Sequence, residues 1–208
     1  MNEFPIFPLG TVLFPGGPLP LRIFEPRYLD MVSECLRNEH PFGVCLIRSG
    51  SEVGEPAEPH PIGTLAHIAD WGRDDRGILT IEAVGEARFR LHGTRTAPNR
   101  LLFGECEPLA ETPGEVPDRY RPLARLARAL TERFAERYRH APPAPGEDSA
   151  DAAPWTGYRL AEILPIPMPH RQHLLETDDP VARLRRLDRV IALMAEAARS
   201  DEPESESE

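Results

Sequence analysis

The chain has 208 residues and a formal net charge of −10, and all 24 of its basic residues are arginine. With no lysine there can be no Walker A phosphate loop, no Ser-Lys dyad and no Schiff-base or pyridoxal-phosphate lysine. The length supports a hydrophobic core without disulfides or metal, and the 24 prolines, about twice the usual share of roughly 5%, predict a globular chain with many turns.

In chain order, residues 4–13 alternate loosely and hold Pro5 and Pro8, which suits an edge strand. Phe14-Pro15-Gly16-Gly17-Pro18 is a turn, and 19–23 resumes an extended run. Pro26 opens a short amphipathic helix over 26–38, with Leu29, Val32 and Leu36 at i, i+3 and i+7. Residues 42–48 and 62–69 read as strands, separated by a Gly/Pro/Glu-rich loop. Asp74-Asp75-Arg76-Gly77 is a hairpin connection. The next strand places Leu79, Ile81 and Ala83 on one face. A tight turn is expected near Gly85. After it Phe89 and Leu91 face inward, while Arg88, Arg90 and His92 face out. Residues 101–106 make the last strand.

Beyond Pro108 the composition changes. A Pro/Gly/Glu connector at 109–117 leads into a long helix over 118–139, striped by Leu123, Leu126, Leu130 and Phe134. Residues 141–154 read as a mobile loop. Short helices are expected at 156–164 and about 169–176. A final helix opens at Asp179-Pro180 and carries Leu184, Leu187, Ile191, Met194 and Ala198. Strands first and helices second predict an α+β chain. Residues 1–108 form a small closed or nearly closed β-barrel with one short helix. A helical bundle follows over 118–199, and 200–208 is a disordered acidic tail. No apolar run approaches the ~18 residues of a membrane helix, and the N-terminus lacks a secretory pattern. Cys35, Cys45 and Cys106 fit reduced, buried thiols. Together these predict a cytoplasmic protein.

Chemical motifs are sparse. There is no G-x-G, no G-x-S-x-G, no H-E-x-x-H and no C-x-x-C. His170 and His173 share a helical spacing, but no further ligands accompany them, so neither a metal nor a cofactor is expected. Arg121, Arg125 and Arg128 read as a solvated face with Arg128–Glu132 pairing, or as a site for phosphate or an acidic partner. The acidic balance argues against nucleic acid. The densest signal is Arg22-Ile23-Phe24-Glu25-Pro26-Arg27-Tyr28, a charge triplet among bulky apolar residues at a strand-to-helix junction. One reading clamps Glu25 between Arg22 and Arg27 to cap the helix. The other makes the segment a polar contact site.

The opening motifs resemble those of a known family. Phe4-Pro5-Ile6-Phe7-Pro8-Leu9-Gly10, Leu13-Phe14-Pro15-Gly16 and Leu19-Pro20-Leu21-Arg22-Ile23-Phe24-Glu25-Pro26-Arg27-Tyr28 look like the start of the Lon protease N-terminal substrate-binding domain. The run 81–91 is similar to that family's central hairpin, and 160–165, 171–176 and 179–184 match its helical part. The resemblance implies a PUA-like β-barrel with a helical bundle. It also implies a non-catalytic module that binds unfolded or tagged polypeptides or a partner protein, without membrane association. Its candidate peptide-binding residues are Phe14, Leu19, Leu21, Arg22, Glu25, Arg27 and Tyr28, with no catalytic residue. It further suggests a free-standing domain protein without ATPase or protease parts. β-strand addition or an apolar groove would be the binding mode. The alternative is a small-ligand binder or enzyme using Arg22, Glu25, Arg27 and Tyr28 at the barrel–bundle junction.

Overall fold

The computed structural model describes residues 2–146 and 148–200, without the side chains of 197–200. The acidic tail expected at 200–208 thus lies outside the described residues, apart from the Ser200 backbone. Seven strands come first: β1 (Asn2–Leu9), β2 (Pro18–Ile23), β3 (Phe42–Ser49), β4 (Glu58–Pro59), β5 (Ile62–Arg73), β6 (Leu79–Thr96) and β7 (Leu102–Pro108). Helix α1 (Pro26–Asn38) interrupts them after β2. A 3-10 turn at Asp118–Tyr120 then leads to α2 (Arg121–Arg133), α3 (Ala152–Ile163), α4 (Met168–Glu176) and α5 (Pro180–Ser200).

The strands form one mixed sheet in the order β1-β7-β6-β5-β3-β4, with β2 branching off β6. The sheet curls until β1 meets β3 in a short parallel pairing from Ile6–Gly43 to Leu9–Leu46. The sequence predicts a closed or nearly closed barrel, and the observed sheet is not a closed one. β4 ends the strand path, and β2 lies beside β6 without continuing the order, so the sheet keeps free ends. The architecture is a mixed β-sheet domain followed by helices.

The tight turn expected near Gly85 is absent. Leu79–Thr96 is one continuous strand that pairs with β2, β5 and β7. Gly85 serves close approach instead. The Gly16 N–H donates to its carbonyl (2.8 Å), and its own N–H donates to the Gly17 carbonyl (2.9 Å). A Cβ at this position would collide with the Phe14 carbonyl oxygen. The glycine therefore lets the β1–β2 loop lie directly on β6.

Pro26 sits at the start of α1, where its missing N–H costs nothing. The helix ends where Glu39 turns left-handed at φ 53°. Its buried face is Arg27, Tyr28, Met31, Val32 and Cys35. The stripe read from Leu29, Val32 and Leu36 is rotated from this face, since Leu29 and Leu36 are partly exposed. Aromatic packing decides the rotation, because Tyr28 stacks on Phe7 with centroids 3.9 Å apart. The long helix expected over 118–139 is shorter. Its chain leaves the helix at Phe134, which is exposed.

Three apolar clusters hold the molecule. Phe7, Leu19, Ile23, Ile81 and Ala83 pack against α1. Ile6, Cys45, Leu65, Phe89, Leu102 and Cys106 form a second, smaller cluster from strands alone. The third joins sheet to helices: Val12, Phe14, Leu46 and Ile62 pack with Leu123, Tyr158, Leu160, Leu174, Leu184 and Leu187. Burial of each such leucine contributes roughly 1.5–3 kcal/mol. Arg88, expected on the solvent face of its strand, does point away from the strand interior, but the helices cover it. Its guanidinium donates to the Leu175 carbonyl (2.9 Å) and to Asp178 (3.0 Å).

Candidate functional site

Strand β2 is an edge whose backbone directions can be worked out. Gly85 donates to Gly17, and the register runs Pro18–Val84, Leu19–Ala83, Pro20–Glu82, Leu21–Ile81, Arg22–Thr80. Antiparallel pairs alternate between hydrogen-bonded and non-hydrogen-bonded, so Leu19, Leu21 and Ile23 direct their N–H and C=O groups at β6. Pro18, Pro20 and Arg22 direct theirs outward. Two of these three outward positions have no N–H to offer. Strand addition on this edge, one of the modes expected from sequence, is therefore blunted by proline.

What remains is a surface with a groove on each side of β2. One has a volume of about 500 Å³ and is lined by Pro20, Arg22, Trp71, Thr80, Glu82 and Arg139 among others. The other, of about 280 Å³, is lined by Leu21, Phe24, Glu25, Tyr28, Glu52 and Val53 among others. Both share Pro20, Leu21 and Arg22. Trp71 and Phe24 are each 61% exposed, and Val53 is exposed too. Large apolar side chains in this state around a groove mark a contact surface.

The charges here are mostly committed. Arg22 pairs with Asp74 at 2.5 Å. Partial desolvation raises the Asp74 carboxyl, but hydrogen bonds from the Ile78 and Arg76 N–H groups, together with Arg22, outweigh it and hold the group below its usual range. Glu25 pairs with Arg27 at 2.8 Å. Its side chain caps nothing; its carbonyl accepts from Tyr28 and Leu29, both at 3.0 Å. The expected clamp of Glu25 between two arginines is thus split, because the 74–77 turn captures Arg22. Arg27 lies under the surface, 4.7 Å over the Tyr28 ring, and donates to the Arg100 carbonyl at 3.3 Å. Burial pushes the Tyr28 hydroxyl up to about 12, so it stays neutral.

The seven candidate residues therefore divide. Leu21, Arg22 and Glu25 reach the grooves with part of their surface open, and Tyr28 contributes to a groove wall while buried. Leu19 and Arg27 lie beneath as support. Phe14 is fully buried in the junction core, its ring 5.9 Å from that of Tyr158. Two exposed aromatics here, Trp71 and Phe24, are not among the candidate contact residues that the sequence pointed to. Their signal was a bulky aromatic set beside a polar turn or a charged junction, where no core position awaits it.

Nothing on this surface pairs a nucleophile with a base. The thiols are inert: burial raises Cys35 to about 11 and Cys106 to about 12, and pushes Cys45 higher still. Among the described residues no cluster of three His, Cys, Asp or Glu side chains could hold a metal. No described helix is long and apolar enough to cross a membrane.

Residues 3–194 match the family model described as the ATP-dependent protease La (LON) substrate-binding domain. A solved Lon N-terminal domain protein from Xanthomonas campestris is 35% identical, with a TM-score of 0.71, covering 90% of this chain and 97% of that one. Lon protease 4 of Sorangium cellulosum is 30% identical over 207 residues, 95% of this chain. Protein cereblon of Danio rerio is 30% identical over 115 residues, 53% of this chain. The chain spans 24% and 26% of the length of those last two relatives.

Proposed function

Because the chain belongs to the Lon substrate-binding domain family, we propose that it captures unfolded or tagged polypeptides in the two grooves that flank β2. The observation that carries this reading is the exposure of Trp71 and Phe24 beside grooves whose charged side chains are mostly paired. Such a surface offers apolar contact without a demand for one charged ligand, which suits many polypeptides. The contact residues are Leu21, Arg22 and Glu25 with Phe24 and Trp71; Leu19, Arg27 and Tyr28 support them, while Phe14 belongs to the core between sheet and helices. The curled sheet is read as PUA-like, since β1 reaches β3. It spans 1–108, with 109–117 connecting it to the helices of 118–199. Three free, buried cysteines suit a cytoplasmic setting.

The test is binding of fluorescein-labelled casein, an unfolded polypeptide, followed by anisotropy. Trp71→Ala should weaken binding about tenfold or more, as truncation of an aromatic anchor does, with the melting temperature unchanged because the ring packs against little. Undiminished binding by Trp71→Ala and by Phe24→Ser would place capture elsewhere.

A further inference from the structure

A second open edge lies at the start of β1. The Ala97 N–H donates to the Leu101 carbonyl. The β6–β7 register then directs the backbone groups of Phe103 at β6. On its other side Phe103 faces Pro5 of β1, which has no N–H to give. The hydrogen-bonded pairs between β1 and β7 are therefore Asn2–Cys106, Phe4–Gly104 and Ile6–Leu102. Glu3 and Pro5 direct their backbone groups away from β7. Further along, the same side of β1 is taken by β3, but that pairing begins only at Ile6–Gly43. Over residues 2–4, among the described residues, no strand occupies it. The Ile6–Gly43 bridge takes the Pro5 carbonyl as acceptor of the Gly43 N–H, so the Glu3 N–H and the Glu3 carbonyl are left ahead of β3 with no strand paired to them among the described residues.

This edge position borders a groove of about 540 Å³ whose lining includes Phe4, Met31, Leu101, Phe103, Glu34 and Pro41. Its walls come from β1, α1, the α1–β3 connection at His40 and Pro41, and the start of β7 with Leu101 before it. In a chain with 24 arginines none lines this groove. Glu3 is already held by Arg95, through two hydrogen bonds of 2.6 and 2.5 Å. Glu34 is exposed and makes no ion pair within the described residues.

We infer that this groove binds an extended polypeptide segment, which adds to the open edge of β1 in line with β3, sets apolar side chains against Met31, Leu101 and Phe103, and brings a lysine or arginine to Glu34. The Glu3 N–H and carbonyl point the same way from one edge position, and an extended chain alongside supplies the acceptor and donor that match them. The apolar walls and the single uncommitted carboxylate fix its side-chain chemistry. The site is separate from the β2 grooves, so it extends the substrate-capture reading without sharing its residues.

The lysine-free sequence makes the test clean. The probe is an N-terminally fluorescein-labelled peptide of about ten residues, alternating valine and threonine, with a lysine near each end. Its binding is measured by anisotropy for the wild type, Glu3→Ala and Glu3→Pro. Both variants lose the Arg95 pair, but only proline removes the edge N–H, and that group faces away from β7. Glu3→Pro should bind about tenfold more weakly than Glu3→Ala, the weight of one lost backbone hydrogen bond with its partner left unpaired. In the wild type the peptide should slow exchange of the Glu3 amide hydrogen, a readout that holds even if the proline variant folds poorly. Carbodiimide coupling should join a peptide lysine to Glu34, because no lysine of the protein can compete. Equal binding by the two variants, an unprotected Glu3 amide, coupling only at β2-side carboxylates such as Glu25 or Glu82, or no saturable binding up to roughly 1 mM would each overturn the inference. Loss of casein binding in Trp71→Ala would persist in that case, so the two sites fail independently.

Discussion

Glu162 shows how one side chain can serve two parts of the fold. It is buried on α3, 2.7 Å from Arg159 and 3.3 Å from Arg137. Arg159 also donates to the Gly16 carbonyl at 3.0 Å. The pair thus ties the β1–β2 loop to the helices, and a Cβ on Gly17 would press on the Glu162 carboxylate. Burial pushes the Glu162 carboxyl above its ordinary value, against the pull of Arg159 and Arg137, with Tyr138 and Arg171 also facing it. For an acid with a raised folded pKa, the native state holds the proton longer than the unfolded state. Stability from this group is then fullest below the ordinary value of 4.5 and declines as pH rises through the folded value. Glu162→Gln mimics the protonated acid and should gain on the wild type as pH rises from 4.5 to 7, in urea unfolding at each pH. If the variant instead loses ground with rising pH, the arginines outweigh burial.

At the scale of elements, the open edges of β2 and β1 are treated differently. β2 presents Pro18 and Pro20 outward, so it can accept hydrogen bonds at all three outward positions but donate only at Arg22. Proline on an edge is a usual guard against pairing with another copy. Pro20→Val restores a donor beside the exposed Trp71. It should therefore raise self-association, seen as a mass that grows with concentration in light scattering, while the melting temperature stays within a few degrees. An unchanged monomer–oligomer balance would show that twist, not proline, protects this edge. β1 is guarded at Pro5 but open at Glu3, and that asymmetry leaves one edge able to take up a strand.

Across the whole molecule, sheet and helices share one core and a polar latch. Phe14 and Ile62 enter the same cluster as Leu184 and Leu187. Arg88 from the sheet binds the Leu175 carbonyl, and Arg183 from α5 binds the Leu174 carbonyl at 3.0 Å, so two buried arginines hold the end of α4. Gln172 adds a bond of 3.0 Å to the Ile62 carbonyl. With so much interior in common, the two parts should unfold together. Trp71 reports on the sheet and Trp155 on the helices. Single-tryptophan variants, Trp71→Phe and Trp155→Phe, should give coincident thermal transitions. Arg88→Leu removes the latch and should lower stability by about 2–4 kcal/mol. Transitions that separate already in the tryptophan variants would show two independent units.

Local chemistry fixed much of this in advance. Pro26 sets the start of α1, period-two alternation marks β6 beyond Gly85, and the leucines of 184 and 187 mark the buried face of α5. Missing lysines rule out whole classes of catalysis without any coordinates, and the opening Phe-Pro and Leu-Pro motifs carry the family. Tertiary structure decided what a linear pattern cannot hold. Gly85 reads as a turn because glycine punctuates chains, yet here it makes room for a loop from 70 residues earlier. Arg88 alternates outward like any surface residue, and only the later helices bury it. Arg22 has Glu25 beside it in sequence, but Asp74 is the partner in space. Side-chain period is a property of one element, whereas burial, pairing and open edges depend on which other elements arrive against it.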